Sequence, residues 1–293
     1  MMYGITYRGR HSREFGLVVK TRTRPAAPPV RVVEETIPYR DGSLDYSGQA
    51  GRLFYDDKIL ELDFTAPGRE LSETNRLVAA VVSWLAGGWD ELVFDDMPQV
   101  KWIAKPIELS DITLSLYRVG TFTVQFRCRP FNRLMWGSLG LPLDSGVPLD
   151  SDISLDFGAE NVHDMPNTGS YTFSHTNIGD VAARPKLVIT GDTDNGAHTI
   201  AIRIGGAALT LATTSARRLS GGRSLTVDCQ ECAVFWDDGS DATGLLASDP
   251  VSGIFPEFPE IPPGACEIAV TTAITGRLQV DYENLYYFGF VEG

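Results

Sequence analysis

The sequence predicts a mainly β protein of two domains. Short runs of Val, Ile, Leu, Thr, Tyr and Phe recur along its 293 residues, separated by many of its 29 Gly and 17 Pro, a pattern typical of strands and turns. Only residues 72–86 show sustained helical periodicity. Residues 1–132 carry 17 Lys and Arg against 17 Asp and Glu, whereas residues 133–293 carry 8 against 21 and hold the whole net charge of −13. This division indicates two domains in different surroundings.

Strands in the first domain are predicted from a period of two. Apolar residues alternate with polar ones in two segments, the first containing Leu60, Leu62 and Phe64 and the second containing Phe122, Val124, Phe126 and Cys128. A strand turns successive side chains to opposite faces of its sheet, so each segment predicts a strand with one buried face.

A helix is predicted between these strands, over residues 72–86. Apolar residues at helical spacing mark one face of it: Leu71, Val78, Val81, Val82 and Leu85. Ser72 is suited to cap the start, and Gly87 and Gly88 end the pattern. The longest apolar stretch, Leu77 to Gly88, is too short to span a bilayer. With no apolar leader at the start, we expect a protein made in a cytoplasm with no membrane partner.

The segment 133–165 is rich in Gly, Pro, Ser and Asp and predicts a linker. Strand patterns return after it, in Leu187–Ile189 and in four alternating groups: Ile200, Ile202 and Ile204; Leu225, Val227 and Cys229; Ile268 and Val270; Leu278 and Val280. Asn195-Gly196 between two of these runs is a hairpin signal. We therefore predict an all-β sandwich as the second domain.

Cysteine chemistry is not expected. Cys229 and Cys232 have the spacing of a redox or zinc pair, but they lie between two strand patterns and lack a second ligand pair, while Cys266 would add a third ligand only by chance of folding. We interpret them as small apolar residues near a strand end.

The acidic groups also favour turns and solvated surface over chemistry. Asp192 to Gly196 resembles the start of a calcium loop, but its glycine comes one residue early and position twelve is Arg203. The linker acids are scattered (Asp144, Asp150, Asp152, Asp156), and the pairs Asp95-Asp96 and Asp237-Asp238 precede Pro98 and Gly239 as turn residues do.

No catalytic constellation is evident. The chain has four histidines (His11, His163, His175, His198) and no GxSxG elbow, and Ser220–Ser224 lacks the lysine and spacing of a phosphate loop. We predict no catalytic, cofactor-binding or metal-binding residues, no cofactor and no enzyme activity. Trp136, Tyr171 and Trp236 would form a sugar platform if exposed, or fill a core or domain junction if buried.

Three segments of the first domain resemble siphophage distal tail proteins, the ring-forming family of the tail-tip baseplate. They are Pro28–Asp45, with its Pro-x-Arg-Asp-Gly turn; Phe94–Pro98 followed by Trp102–Lys105; and Gly120–Phe131. Tyr39 departs from the family, because relatives commonly have Gly before this Arg-Asp-Gly.

The resemblance implies a tail-tube-like β-sandwich or split barrel with one flanking helix for residues 1–132, and a galectin-like β-sandwich for residues 166–293. It implies a structural virion protein at the tail tip, a homo-hexamer formed through the first domain, with Val30–Pro38 and Arg52–Phe64 forming an arm. Implied partners are the tail tube, the tail-associated fibre or lysin protein and receptor-binding proteins, with DNA passing through the ring without specific binding. The alternative is a carbohydrate-binding protein used in host adhesion.

Overall fold

The computed structural model describes residues 4–48, 52–66, 71–109, 113–114, 120–134, 161–193, 198–214, 218–247 and 257–288. The chain divides into two compact units. The first contains residues 1–135 and 286–291, and the second contains residues 136–285 and 292–293. The predicted linker lies mostly outside the described residues, so the boundaries predicted at 132 and 166 stay a prediction.

Both units are built mainly from strands. The first unit has one helix, α1 (Leu71–Leu85), and the strands β1 (Ile5–Tyr7), β2 (Arg10–His11), β3 (Val18–Thr23), β4 (Glu34–Thr36), β5 (Ser43–Asp45), β6 (Lys58–Ala66), β7 (Asp90–Phe94), β8 (Met97–Leu109), β9 (Thr113–Leu114), β10 (Gly120–Cys128) and β11 (Asn132–Leu134). The second has β12 (Val162–Met165), β13 (Gly169–Asn177), β14 (Lys186–Thr193), β15 (Thr199–Ile204), β16 (Ala207–Ala212), β17 (Ser224–Asp228), β18 (Ala233–Trp236), β19 (Gly264–Thr272) and β20 (Thr275–Asp281), and β21 (Leu285–Tyr286) follows. Short 3₁₀ turns cover Ser12–Phe15 and Thr243–Leu245.

The first unit is organised around one sheet, with strand order β2-β1-β7-β8-β10-β6-β3. The two strands predicted from alternation are confirmed as β6 and β10, which pair antiparallel with Leu62 opposite Val124. Tyr7 on β1 and Phe126 on β10 have ring centroids 5.4 Å apart, although β7 and β8 lie between their strands. Since neighbouring strands are about 4.8 Å apart, the sheet must curl around its apolar face. The predicted mainly β fold with one flanking helix is confirmed.

The helix α1 closes this core with a face slightly different from the predicted one. Val81, Trp84 and Leu85 are buried, whereas Val82, which the sequence placed on this face, is 43% exposed. Trp84 takes its place because its ring stacks on Phe15 at 4.8 Å and its indole Nε1 donates to the carbonyl of Tyr7. No helix among the described residues is long and apolar enough to cross a membrane.

The second unit consists of two sheets, with orders β12-β20-β14-β17-β18 and β13-β19-β15-β16. Its core combines inward residues of both sheets, such as Leu187 and Val280 of the first with Ile202 and Val270 of the second. Two sheets sharing a core between them form a sandwich. The predicted strands and the β-sandwich are therefore confirmed.

One local prediction in this unit is wrong. The Asn195-Gly196 pair was expected to form a hairpin between the flanking strands, but β14 pairs with β17 and β20, whereas β15 pairs with β16 and β19. The connection therefore passes from one sheet to the other. Asn-Gly favours a positive φ and hence a tight change of direction, which does not require the flanking strands to pair.

Candidate assembly surface

Residues 30–48 of the first unit form an extended excursion between β3 and β6, which we call the arm. Strands β4 and β5 pair only with each other, in a two-stranded sheet with Glu34 opposite Asp45 and Thr36 opposite Ser43. At the base, an isolated bridge joins Val30 to Tyr55. The arm thus carries two edge strands that have no second neighbour among the described residues.

The predicted composition of the arm is partly corrected. The run Val30–Pro38 does lie in it, but most of Arg52–Phe64 does not, because residues from Lys58 onward form the buried core strand β6. Ser43–Asp45 supplies the second strand instead. The alternation of Leu60, Leu62 and Phe64 already indicated core packing for that segment.

The turn at the tip of the arm places Tyr39 in the left-handed region. The amide of Arg40 donates to the carbonyl of Ile37 at 3.2 Å, and Tyr39 has a φ of 66°. Pro at the second position and positive φ at the third are the marks of a type II turn, which favours Gly at the third position. A Gly here, which the family resemblance leads us to expect, would adopt this conformation without strain. Tyr39 accepts the strain with its side chain wholly exposed.

Apolar side chains are concentrated on the arm without being buried. Val32 is 63% exposed, Val33 49%, Ile37 38% and Tyr39 108%. Burial of apolar area stabilises a complex by about 25 cal/mol per Å² before the costs of association. Clustered exposed apolar groups beside unpaired strand edges are the features of a surface to which another chain adds.

The carboxylates Asp95 and Asp96 form the turn between β7 and β8, as predicted. Asp95 accepts from the amide of Gly4 and contacts His11 and Arg13, each at 2.8 Å. Asp96 lies 2.9 Å from Arg22 and from Arg24. The pair therefore ties the turn to the N-terminal strands of the unit by charge-assisted hydrogen bonds.

The two cysteines of the Cys229–Cys232 pair lie in different environments, and only Cys229 is a core residue. Cys229 is buried at the end of β17, and burial raises the pKa of its thiol to about 12. Cys232 is exposed, with a φ of 53°, and both thiols are free. A thiol with a raised pKa is a poor nucleophile and a poor metal ligand at neutral pH. That the chain binds no functional metal stays a prediction.

The acidic and glycine-rich segments are only partly described. Asp194, Asn195 and Gly196 lie outside the described residues, as do all four linker acids and Trp136. Asp237 and Asp238 form a turn in which Asp237 binds Arg223 at 3.0 Å. In the Ser220–Ser224 segment, Gly221 and Gly222 have positive φ and their amides bind the backbone of β14.

The two described aromatic residues of the predicted sugar platform do not form one. Trp236 is 3% exposed, and Arg223 lies over its ring at 4.9 Å. Tyr171 is half-buried against the sandwich core, and its hydroxyl donates to the carbonyl of Asn167. Both follow the core interpretation of large aromatic residues.

The sequence did not predict that residues near the C-terminus complete the first unit. Tyr286, Tyr287 and Phe288 follow residues 136–285 of the second unit in the chain but belong to the first. Lys58, 1% exposed, binds this segment. A signal was present for Lys58, because it precedes Leu60 and Leu62 in the alternating register of buried positions.

Comparisons with known proteins agree with this geometry. Residues 12–128 match the family of the phage tail protein RIFT-related domain. Among solved structures, the chain is similar to the Dit protein (gp 19.1) of phage SPP1, with a TM-score of 0.65 and 12% identity over 97% of this chain and 99% of that one. That protein is described as a paradigm of the hub adsorption apparatus in phages that infect Gram-positive bacteria. No curated protein matches the chain.

Residues 12–128 thus match a phage tail domain family, and the structural likeness shows that the chain shares the fold of a phage tail protein. The predicted resemblance to siphophage distal tail proteins is confirmed by the two matches together.

Proposed function

We propose that this chain is the distal tail hub of a siphophage, in which six copies form a ring through the first unit. The ring joins the tail tube to the tail-tip apparatus and surrounds part of the channel through which DNA leaves the particle. The observation that carries the proposal is the arm, where exposed apolar residues lie beside strand edges that have no second neighbour among the described residues.

The arm suits a ring because a ring needs two different complementary patches on each copy. One patch is the arm itself, which offers backbone groups of β4 and β5 and the side chains of Val32 and Val33. A neighbouring copy that adds a strand to this sheet would satisfy the edges and bury the valines. Each copy would bind the next in the same direction, and six copies close into a ring if successive copies are related by a rotation of 60°.

The division of charge supports the same assignment. Residues 1–132 have equal numbers of basic and acidic groups, so copies can approach closely without net repulsion. Residues 133–293 hold the −13, and a ring built from them would bring six like-charged bodies together. The acidic second unit therefore suits the periphery of the ring, where solvent and salt screen it.

The partners proposed on this basis are proteins of the tail: the tail tube, the tail-associated fibre or lysin protein and receptor-binding proteins. The function requires no cofactor, metal or catalytic residue and no specific recognition of DNA. The galectin-like character of the second unit stays a proposal. Sugar binding is the less favoured alternative, because the described aromatic candidates are packed in the core.

Sedimentation of the full chain at high concentration tests the arm. We expect reversible assembly into hexamers, lost when Val32 and Val33 are both changed to Asp. Since both valines are exposed, the variant should keep its circular dichroism spectrum. A matched control changes Val162 and Ile178 of the second unit, 42% and 41% exposed, to Asp. Equal assembly of the two variants would refute the role of the arm.

A further inference from the structure

The short segment Tyr286–Phe288, which we call the closing segment, completes the first unit. Tyr286 is 3% exposed and belongs to the core of that unit. Its strand, β21, pairs with β11 in the main sheet. The segment therefore occupies a position in the sheet and in the core.

Two buried side chains hold the backbone of the closing segment. The ammonium of Lys58 donates to the carbonyl of Tyr287 at 3.0 Å and to Oδ1 of Asn132 at 3.0 Å. Asn132, fully buried, donates through Nδ2 to the carbonyl of Phe288. Two successive carbonyls are thus bound by a lysine and an amide that also bind each other.

The side chains of the segment are bound by aromatic and cationic groups. The ring of Tyr287 lies 5.7 Å from Tyr55 and 5.7 Å from Phe131, edge-on to both, and these two rings are 5.5 Å apart. Its hydroxyl is 3.2 Å from that of Tyr55. The guanidinium of Arg24 lies over Phe288 at 5.6 Å. Such contacts favour two successive aromatic side chains at this position.

Removal of the closing segment would take hydrogen-bond partners away from buried polar groups of the first unit. A buried ammonium is tolerated only with hydrogen-bond acceptors around it. The closing segment supplies one of the two acceptors found for Lys58 among the described residues. Without the segment, Lys58 and Asn132 would each lose a partner, and the aromatic pair Tyr55 and Phe131 would lose the ring between them.

We infer that the first unit contains a groove for a short aromatic peptide segment, filled in this chain by residues 286–288, and that this unit attains its full stability only when the groove is filled. The closing segment follows residues 136–285, which contain the described strands of the second unit. Folding of the first unit therefore waits until the second unit has been synthesised, and an incomplete chain lacks a finished first unit. The inference goes beyond the proposed function and holds for the single chain.

Hydrogen exchange of the full-length chain tests the inference without reference to ring formation. Changing Tyr287 to Ala should raise exchange of the β6 and β11 amides about tenfold or more, equivalent to about 1.4 kcal/mol of lost protection. The amides of β17 in the second unit should not change. The matched control is Tyr39→Ala on the arm, where the ring is wholly exposed. Unchanged exchange of β6 and β11 in Tyr287→Ala would overturn the inference.

Complementation provides a second test. A chain that ends at Leu285 keeps every strand of the second unit, so β17 protection reports whether that unit has folded. A synthetic peptide of residues 284–293 should bind this chain and restore protection to β6 and β11. The same peptide with Ala at positions 286 and 287 should do neither. Full protection before the peptide is added, or no restoration by it while the second unit is folded, would overturn the groove.

Discussion

In the second unit, Nε2 of His163 lies 2.7 Å from Nε2 of His175. His163 belongs to β12 and His175 to β13, which are edge strands of the two opposing sheets, so the contact joins the sheets at one border. The ring of His163 also stacks on Phe173 at 4.1 Å. A single proton between the two nitrogens allows a hydrogen bond between neutral imidazole rings. If both rings were protonated, two positive charges would lie within hydrogen-bonding distance of each other.

The first prediction is a loss of stability in mild acid. Burial, with a smaller contribution from His163, lowers the pKa of His175 from 6.5 to about 4. Between these values the unfolded state binds more protons, so the free energy of unfolding falls as pH drops from 6.5 towards 4. We expect a loss on the order of 1–3 kcal/mol for the second unit in urea titrations. His175→Asn should remove most of this dependence and His198→Asn should keep it. The same pH dependence in both variants would contradict the explanation.

The second prediction concerns the alkaline range. Burial lowers the pKa of Lys58 from 10.5 to about 8, and the nearby Cys128 opposes this shift. Above pH 8 the unfolded state holds more protons than the folded one, so the first unit gains stability as pH rises. Burial raises the pKa of Cys128 from 9.0 to about 12. As the pH approaches and passes 9.0 the unfolded state loses this proton while the folded state keeps it, so Cys128 lowers the stability of the first unit as the pH rises.

Between pH 8 and 9 the Lys58 effect should therefore exceed the opposing effect of Cys128. Wild type should gain about 0.5 kcal/mol or more over this range, measured by urea unfolding of the first unit. Lys58→Met removes the titrating group and should show no such gain. A wild-type stability that changes in parallel with that of the variant would refute the assignment.

These two buried groups show where reasoning from the sequence succeeds and where it stops. Alternation and helical spacing predict β6, β10 and α1, because burial of one face governs local pattern. The contact between His163 and His175 depends on which strands become sheet edges, and the contact of Lys58 with Tyr287 joins residues that are far apart in the chain. Neither pairing leaves a local pattern, so the sequence could not predict them. The Asn195-Gly196 signal failed for the related reason that a turn residue does not fix strand partners.

The third prediction concerns a close backbone approach in the second unit. Gly276 lies opposite Gly191 where β20 pairs with β14, and a Cβ on Gly276 would collide with the carbonyl of Thr190. A backbone carbonyl cannot move aside as the end of a flexible side chain can. Gly276→Ala should therefore lower the free energy of unfolding of the second unit by about 1–3 kcal/mol or more, measured in urea. Gly206→Ala is the control, because a Cβ there meets nothing within 4 Å. Equal stability of the two variants would show that the strands separate at little cost.

The fourth prediction concerns the strained turn of the arm. Tyr39→Gly relieves the positive φ of 66° and should stabilise the turn by about 1 kcal/mol. Exchange of the Arg40 amide, which is bonded across the turn, should slow about fivefold. Tyr39→Ala keeps a Cβ in the strained region and should give no comparable slowing. A similar change in both variants would mean that the ring of Tyr39, and not its backbone, governs the turn.

The central claim is that the first unit builds a sixfold ring. Electron microscopy of the assembled full-length chain tests it most directly, because class averages give the symmetry and the map gives the contacts. We predict six copies joined through the first unit, with the arm of each copy, including Val32 and Val33, seated on its neighbour and the acidic second unit outside. A ring of any other symmetry, or one joined mainly through residues 150–293, would contradict the account.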